Sequence, residues 1–262
     1  MQPKLVSMLP KRLNEAALPT PFVEELLALT TNHTTGSLAS GDCTVVRSPF
    51  VEDALGAVGN GTEADVDEAF RIARSAQKDW AAKPVADRVK VMEQFHKSVV
   101  KRQDLLADLV QLETGKDRTA AFDEVLDVLN NARYYANNAA GFLSTKRRAG
   151  AFPVITSTRE QRFPKGVVGQ ISPWNYPLAL GVSDAIPALL AGNAVVAKPD
   201  SSTPFSAIIA KKLLTNAGLP KDLFQIVTGS GKVVGQAIAQ QCDYLMFTGS
   251  TATGKLLGKV VG

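Results

Sequence analysis

The chain has 262 residues, 45% of them hydrophobic and 21% charged, with a formal net charge of +4. This is ample for a buried core in one large or two small domains, and the composition is that of an ordinary globular protein. The mild charge is spread along the chain and argues against a nucleic-acid partner, and no uncharged apolar stretch is long enough to span a bilayer.

The opening "MQPKLVSMLPKRLNEAALPTP" has no long apolar core and is broken by prolines, so it does not resemble a secretory leader. Cys43 and Cys242 make no disulfide framework, and His33 and His96 have no metal-ligand spacing. These features give an expectation of a cytoplasmic protein with no metal and no membrane partner.

In chain order, a short apolar pattern at "PFVEELLAL" precedes two predicted strands, "CTVVRSPF" and "ALGAVGNG". Cys43 in the first reads as a small core residue. A helix follows at "TEADVDEAFRIARSAQKDWA", with Thr62 as N-cap and Val66, Ala69, Phe70 and Ala73 on its apolar face. One long helix is expected from Pro84, through Val89, Met92, Phe95 and Val99 to Leu105, Leu106, Leu109 and Leu112, ending at Gly115. A further helix covers "AAFDEVLDVLNNARYYANNAA". Its Tyr134 and Tyr135, like Met92 and Phe95, read as core or interhelical contacts. The cluster Lys146, Arg147 and Arg148 reads as a solvated loop. Alternation at Val154, Thr156 and Thr158, bounded by Pro153 and Pro164, predicts an extended arm or edge hairpin that pairs with another part of the fold or with a second subunit.

After Lys165 strand and helix alternate four times: "VVGQIS", "AVVAKP", "FQIVTG" and "YLMFTG" each lead into a helical pattern. Short, nearly continuous apolar strands predict a parallel sheet covered on both faces, in the doubly wound α/β class. Ligands bind such sheets beyond the strands' carboxyl ends, where four loops stand: "SPWN", "KPDSST", "GSGKVVG" and "GSTATG". Gly249 could let backbone approach an anion, with Ser250, Thr251 and the first helical N–H groups beside it, or the segment is simply a capped helix. Gly229 to Gly235 lacks the dinucleotide spacing, so Gly231 makes room for an adenine or for close helix packing. Lys198, held by Pro199, ends a buried strand and needs a partner: a ribose hydroxyl, a phosphate, or Asp200. Asn175 offers a fixed amide donor for a developing oxyanion, or it is a turn asparagine bonding its own backbone.

Together these residues resemble the aldehyde dehydrogenase superfamily. The run "GVVGQISPWNYPLALGVSDAIPALLAGNAVVAKPDSSTP", then "AGLPKDLFQIVTG", "GKVVG" and "FTGSTATGK", is similar to its cofactor domain in order and spacing, and "LETGK" fits upstream. "VSDAIPALLAGNAVVAKPD" and "CDYLMFTGS" are most similar to bacterial NADP-linked succinate-semialdehyde dehydrogenases. The resemblance implies a Rossmann-like parallel sheet with N-terminal strands and helices in 1–148, an oligomerisation ribbon at 149–165 and βαβ units in 166–262. It implies a small aldehyde as substrate, a homo-oligomer, and Asn175 as the catalytic oxyanion holder. It further implies cofactor contacts from Ser172, Trp174, Asn175, Lys198, Pro199, Asp200, Ser201, Gly231, Gly249 and Ser250. Where many NAD-preferring members carry a glutamate three residues after the lysine, this chain has Ser201, which would not repel a 2′-phosphate; NADP is expected over NAD. The family's glutamate motif and nucleophilic cysteine lie downstream of "FTGS", and Gly262 comes before either. The expectation is therefore a chain without its catalytic domain, inactive alone, or a nucleotide-binding or assembly fragment.

Overall fold

The computed structural model describes residues 42–50, 54–152 and 155–261. The "PFVEELLAL" pattern, Pro153 and Val154 lie outside them. Strands β1 (Cys43–Arg47) and β2 (Ala54–Gly59) pair antiparallel. Cys43 is exposed, because the strand's inward face belongs to Val46; the expectation of a core cysteine is corrected.

Helix α1 (Glu63–Ala82) starts as predicted, with Thr62 and Asp65 in a reciprocal capping box. It buries Val66, Ala69, Phe70, Ala73 and Trp80, and the Trp80 indole N–H donates to Leu189 O at 2.8 Å. The long helix expected next is two, α2 (Val85–Lys101) and α3 (Gln103–Thr114), broken at Arg102 with φ −118° and ψ 21°. The break re-aims the second piece, so that both lie against α4 (Arg118–Leu143). Gly115, at φ +77°, ends α3 in the left-handed turn that glycine tolerates. Ala121, Ala132, Ala136 and Ala139 give α4 a flat inner face. Tyr134 is 54% exposed and stacks edge-on with Tyr135, which corrects its core assignment.

Strand β3 (Lys146–Arg148) pairs antiparallel with β4 (Thr158–Glu160). The basic cluster is therefore an exposed strand and not a loop; Arg148 meets Glu160 across the ribbon at 2.5 Å. Thr156 is not in the strand, since its hydroxyl turns back to Phe152 O at 2.8 Å.

The central sheet is parallel, in order β7-β6-β5-β8, from β5 (Val167–Ile171), β6 (Ala194–Lys198), β7 (Phe224–Ile226) and β8 (Tyr244–Phe247). The helix expected after β5 is two short pieces, α5 (Ala179–Val182) and α6 (Ala185–Leu190). Pro187 has no N–H to return to Ser183 O, so a continuous helix cannot form there. Helix α7 (Phe205–Asn216) follows β6 and is buried nearly all round. After β7 the first turn is π-helical, Gly231–Gly235, and runs into α8 (Gln236–Gln241); α9 (Thr251–Val261) follows β8.

Helices α1 and α8 cover one face of the sheet, while α5 to α7 cover the other beneath α2 to α4. The chain winds outward from β5 to β7, then crosses back to place β8 on β5's free edge. The strand order reverses between β5 and β8, and that crevice is where this class of sheet binds ligands.

Candidate functional site

Register sets the site. Ile171 aligns with Lys198 on one side and Phe247 on the other, so three strands end at one level. Their loops, with the turn after β7, enclose a cleft of about 890 Å³. Ser172, Trp174 and Asn175 line it from the first loop, and Lys198, Asp200 and Ser201 from the second. Gly231 lines it from the π-turn, and Gly249 and Ser250 from the last loop. Of the residues singled out from sequence, Pro199 is not on the wall; its carbonyl accepts from Lys198 Nζ at 2.9 Å.

Lys198 is buried, and burial holds its ammonium below the usual lysine range, with Asp200 opposing. Asp200 does not pair with it directly. Its carboxylate accepts from the Ser202 N–H at 3.0 Å and hydroxyl at 2.7 Å, a local turn. A buried ammonium with one carbonyl partner on a cleft wall suits a hydroxyl-rich or anionic ligand. Trp174 is 57% exposed beside it, and the Asn175 carboxamide makes no hydrogen bond with the described residues, so both its N–H donors remain available. The turn-asparagine alternative is not what the structure shows.

Several of these residues also make contacts within the fold. The Ser201 hydroxyl donates to Gly229 O at 2.9 Å, tying two rims of the cleft together. A Cβ at Gly249 would lie 2.6 Å from the Phe247 ring, so a larger residue there would have to displace that ring. Gly231 faces open space, which rules out helix packing as its purpose. The close approach in that segment is at Gly229, φ +137°, whose Cβ would come within 2.9 Å of Val234 and 3.1 Å of Gly61 N. Ser250 caps α9 by accepting from Thr253 N at 3.2 Å.

Other wall residues escaped the sequence reading. Lys232 and Gln236 come from the π-turn and α8, and Leu256, Leu257 and Val260 from an apolar stripe on α9 that the i, i+3, i+4 spacing displays. Behind the cleft are two buried carboxylates. Glu113 accepts from Phe205 N at 2.6 Å, Ser206 N at 2.9 Å and the Ser206 hydroxyl, holding the start of α7. Burial pushes its pKa up to about 7. Glu124 accepts from Leu178 N at 3.0 Å and Ala179 N at 3.1 Å, and pairs with Lys116 at 2.6 Å. Glu124 recurs on α4's apolar face with Ala121, Val125 and Val128, a buried-acid signal that the sequence carried.

Neither cysteine faces the cleft. Cys43 is on β1, and Cys242 precedes β8 at the sheet's other end, where burial pushes its thiol up. Among the described residues no cluster of His, Cys, Asp and Glu is placed to hold a metal, and no helix is long and apolar enough to cross a membrane.

A parallel sheet with an open, apolar-floored cleft at its topological switch point defines a doubly wound α/β domain with a ligand-sized crevice. The chain belongs to the aldehyde dehydrogenase family, whose pattern residues 38–262 match. It is 53% identical over 217 residues to a Mycolicibacterium smegmatis protein provisionally named a succinate-semialdehyde dehydrogenase (NADP(+)), covering 83% of this chain and 42% of that one. Among solved structures, an aldehyde dehydrogenase from Brucella melitensis superposes with a TM-score of 0.85 at 27% identity, over 94% of this chain and 51% of that one. An NADP-dependent glyceraldehyde-3-phosphate dehydrogenase from Bacillus halodurans, complexed with NADP, gives 0.79 at 30% identity, over 85% and 48%. The chain spans less than half the length of the curated relatives it matches.

Proposed function

We propose that this chain forms the cofactor-binding part of an NADP-dependent aldehyde dehydrogenase that oxidises a small aldehyde, succinate semialdehyde, to its carboxylate. The observation that carries this reading is the convergence of Trp174, Asn175, Lys198 and Ser250 on one cleft at the switch point. Lys198 would hold the ribose or its 2′-phosphate, with Ser172, Pro199, Asp200 and Ser201 shaping that rim. Gly231 leaves space beside the adenine, and Gly249 and Ser250 present the α9 terminus to the pyrophosphate. No carboxylate stands at position 201 to repel a 2′-phosphate, which favours NADP. Bound NADP would accept the hydride.

Asn175 is assigned the oxyanion. When a thiolate adds to the aldehyde, the carbonyl oxygen gains charge, and a free carboxamide N–H can stabilise it by about 3 kcal/mol. With neither cysteine in the cleft, the thiolate is assigned to sequence matching the relatives' remaining length. The alternative is a fragment that binds nucleotide or assembles without turnover. The exposed Phe152, Ile155 and Phe163 on the 149–165 ribbon favour assembly into a homo-oligomer.

Calorimetry on the 262-residue chain should show NADP bound more tightly than NAD; binding of neither would overturn the cofactor assignment. With succinate semialdehyde the same chain should form no NADPH, and clear turnover would refute an external thiolate. In a chimera completed with the remaining length of the Mycolicibacterium smegmatis relative, Asn175→Ala should cut the rate by about 10²-fold or more with little change in NADP affinity.

A further inference from the structure

The stretch Pro173–Pro177 carries the cleft's amide donor, yet nothing local secures its far end. Helix α5 begins with no side-chain cap from its own segment. Its first N–H groups would be left without partners in a buried place, at a cost of about 1–3 kcal/mol each. They are met from far away in sequence: Glu124 Oε2, on α4, accepts from Leu178 N and Ala179 N. One turn along the same helix, Asp127 accepts from the Ser183 hydroxyl at 2.9 Å, at the other end of α5.

The second oxygen of Glu124 accepts from Lys116, whose side chain is 18% exposed against 0% for the glutamate. The same ammonium lies 3.7 Å from the centroid of the Tyr176 ring. A cation over an aromatic face is worth about 0.5–2 kcal/mol and is directional. One ion pair thus fixes both the ring of the residue after Asn175 and the backbone of the two residues that follow Pro177. Pro177 has a preset φ, so little freedom remains between those anchors.

We infer that Lys116 and Glu124 are positioning residues for Asn175: their ion pair orients the Trp174–Tyr176 turn so that the carboxamide faces the cleft. This rests on the oxyanion role proposed above for Asn175, but its structural half can be tested apart from that role.

The chain's two tryptophans serve as reporter and control, because Trp174 is in the turn and Trp80 is buried in the core. In the full chain labelled with 5-fluorotryptophan, Lys116→Met and Glu124→Gln should each shift and broaden the Trp174 fluorine resonance and leave that of Trp80 in place. Lys116→Arg should restore the wild-type line. Because Trp174 of the same turn also lines the cleft, NADP affinity by calorimetry should fall by about tenfold in Lys116→Met, a loss carried by Trp174 and not by the Asn175 carboxamide, and recover in Lys116→Arg. A general loss of packing would instead move both resonances, and Lys116→Arg would not separate from Lys116→Met; either result overturns the inference, as does an unmoved Trp174 line in Lys116→Met. Should Glu124→Gln fail to fold, the two Lys116 variants decide. If wild type binds no nicotinamide nucleotide while the Trp174 line responds as described, the cofactor reading fails and the positioning role stands.

Discussion

The two sides of the switch point are built differently. On the β5–β6–β7 side every strand residue but Ile171 is buried, and helix α7 beside it is buried nearly all round. On the β8–α9 side Tyr244 is exposed, Leu257 is α9's one buried residue, and Leu256 is 63% exposed. The first side is a core that happens to end in loops; the second is a wall of the cleft with little packing of its own. Stability should therefore reside on one side, while both contribute to binding.

That contrast can be broken or sharpened by substitution. The largest effect is expected from Phe205→Ala at the head of α7. Its ring is 1% exposed and presses on Gly56, where a Cβ would lie 2.9 Å away. Urea unfolding should show a loss of about 3–5 kcal/mol.

The next concerns Glu113. Its carboxyl is buried and raised from 4.5 to about 7, so the folded state holds the proton more tightly than the unfolded one. The associated stability is fully present below pH 4.5 and is lost as pH rises through about 7. Across that window wild type should fall relative to Glu113→Gln by roughly 3 kcal/mol, measured by denaturant midpoints at each pH. Parallel profiles would show that the carboxyl does not titrate there.

Lys198→Met separates binding from folding. Removing a buried ammonium whose one hydrogen-bond partner among the described residues is a carbonyl should leave stability unchanged or improve it, while NADP affinity falls by about 10-fold or more. Smallest is Leu256→Ala on α9. Its unfolding free energy should stay within about 0.5 kcal/mol of wild type, and NADP affinity should fall measurably. A large stability loss there would show that α9 belongs to the core after all.

Much of this organisation was legible in the chain. Alternating apolar strands and helices specified the parallel sheet, because strands covered on both faces need continuous hydrophobic runs. Of the ten contact residues that the family resemblance implied, nine line the cleft wall, Pro199 being the exception. Local caps were equally readable, as at Thr62 and Gly115. What was not legible depended on partners distant in sequence. The break at Arg102 serves packing on α4, and the exposure of Cys43 follows from which face of β1 turns inward. The Ser201 hydroxyl donates a hydrogen bond to Gly229 O, a contact that only the sheet order allows.

The sequence by itself therefore determined the class of fold, the end of the sheet where the cleft opens, and the residue types that end its strands. These are set by periodicity and turn chemistry, which act over a few neighbouring residues. Only the tertiary structure decided how those residues are held: Glu113 under α7, and Lys116 with Glu124 under Asn175's turn. A buried carboxylate finds its donors by where the helices pack, and no spacing along the chain encodes that distance.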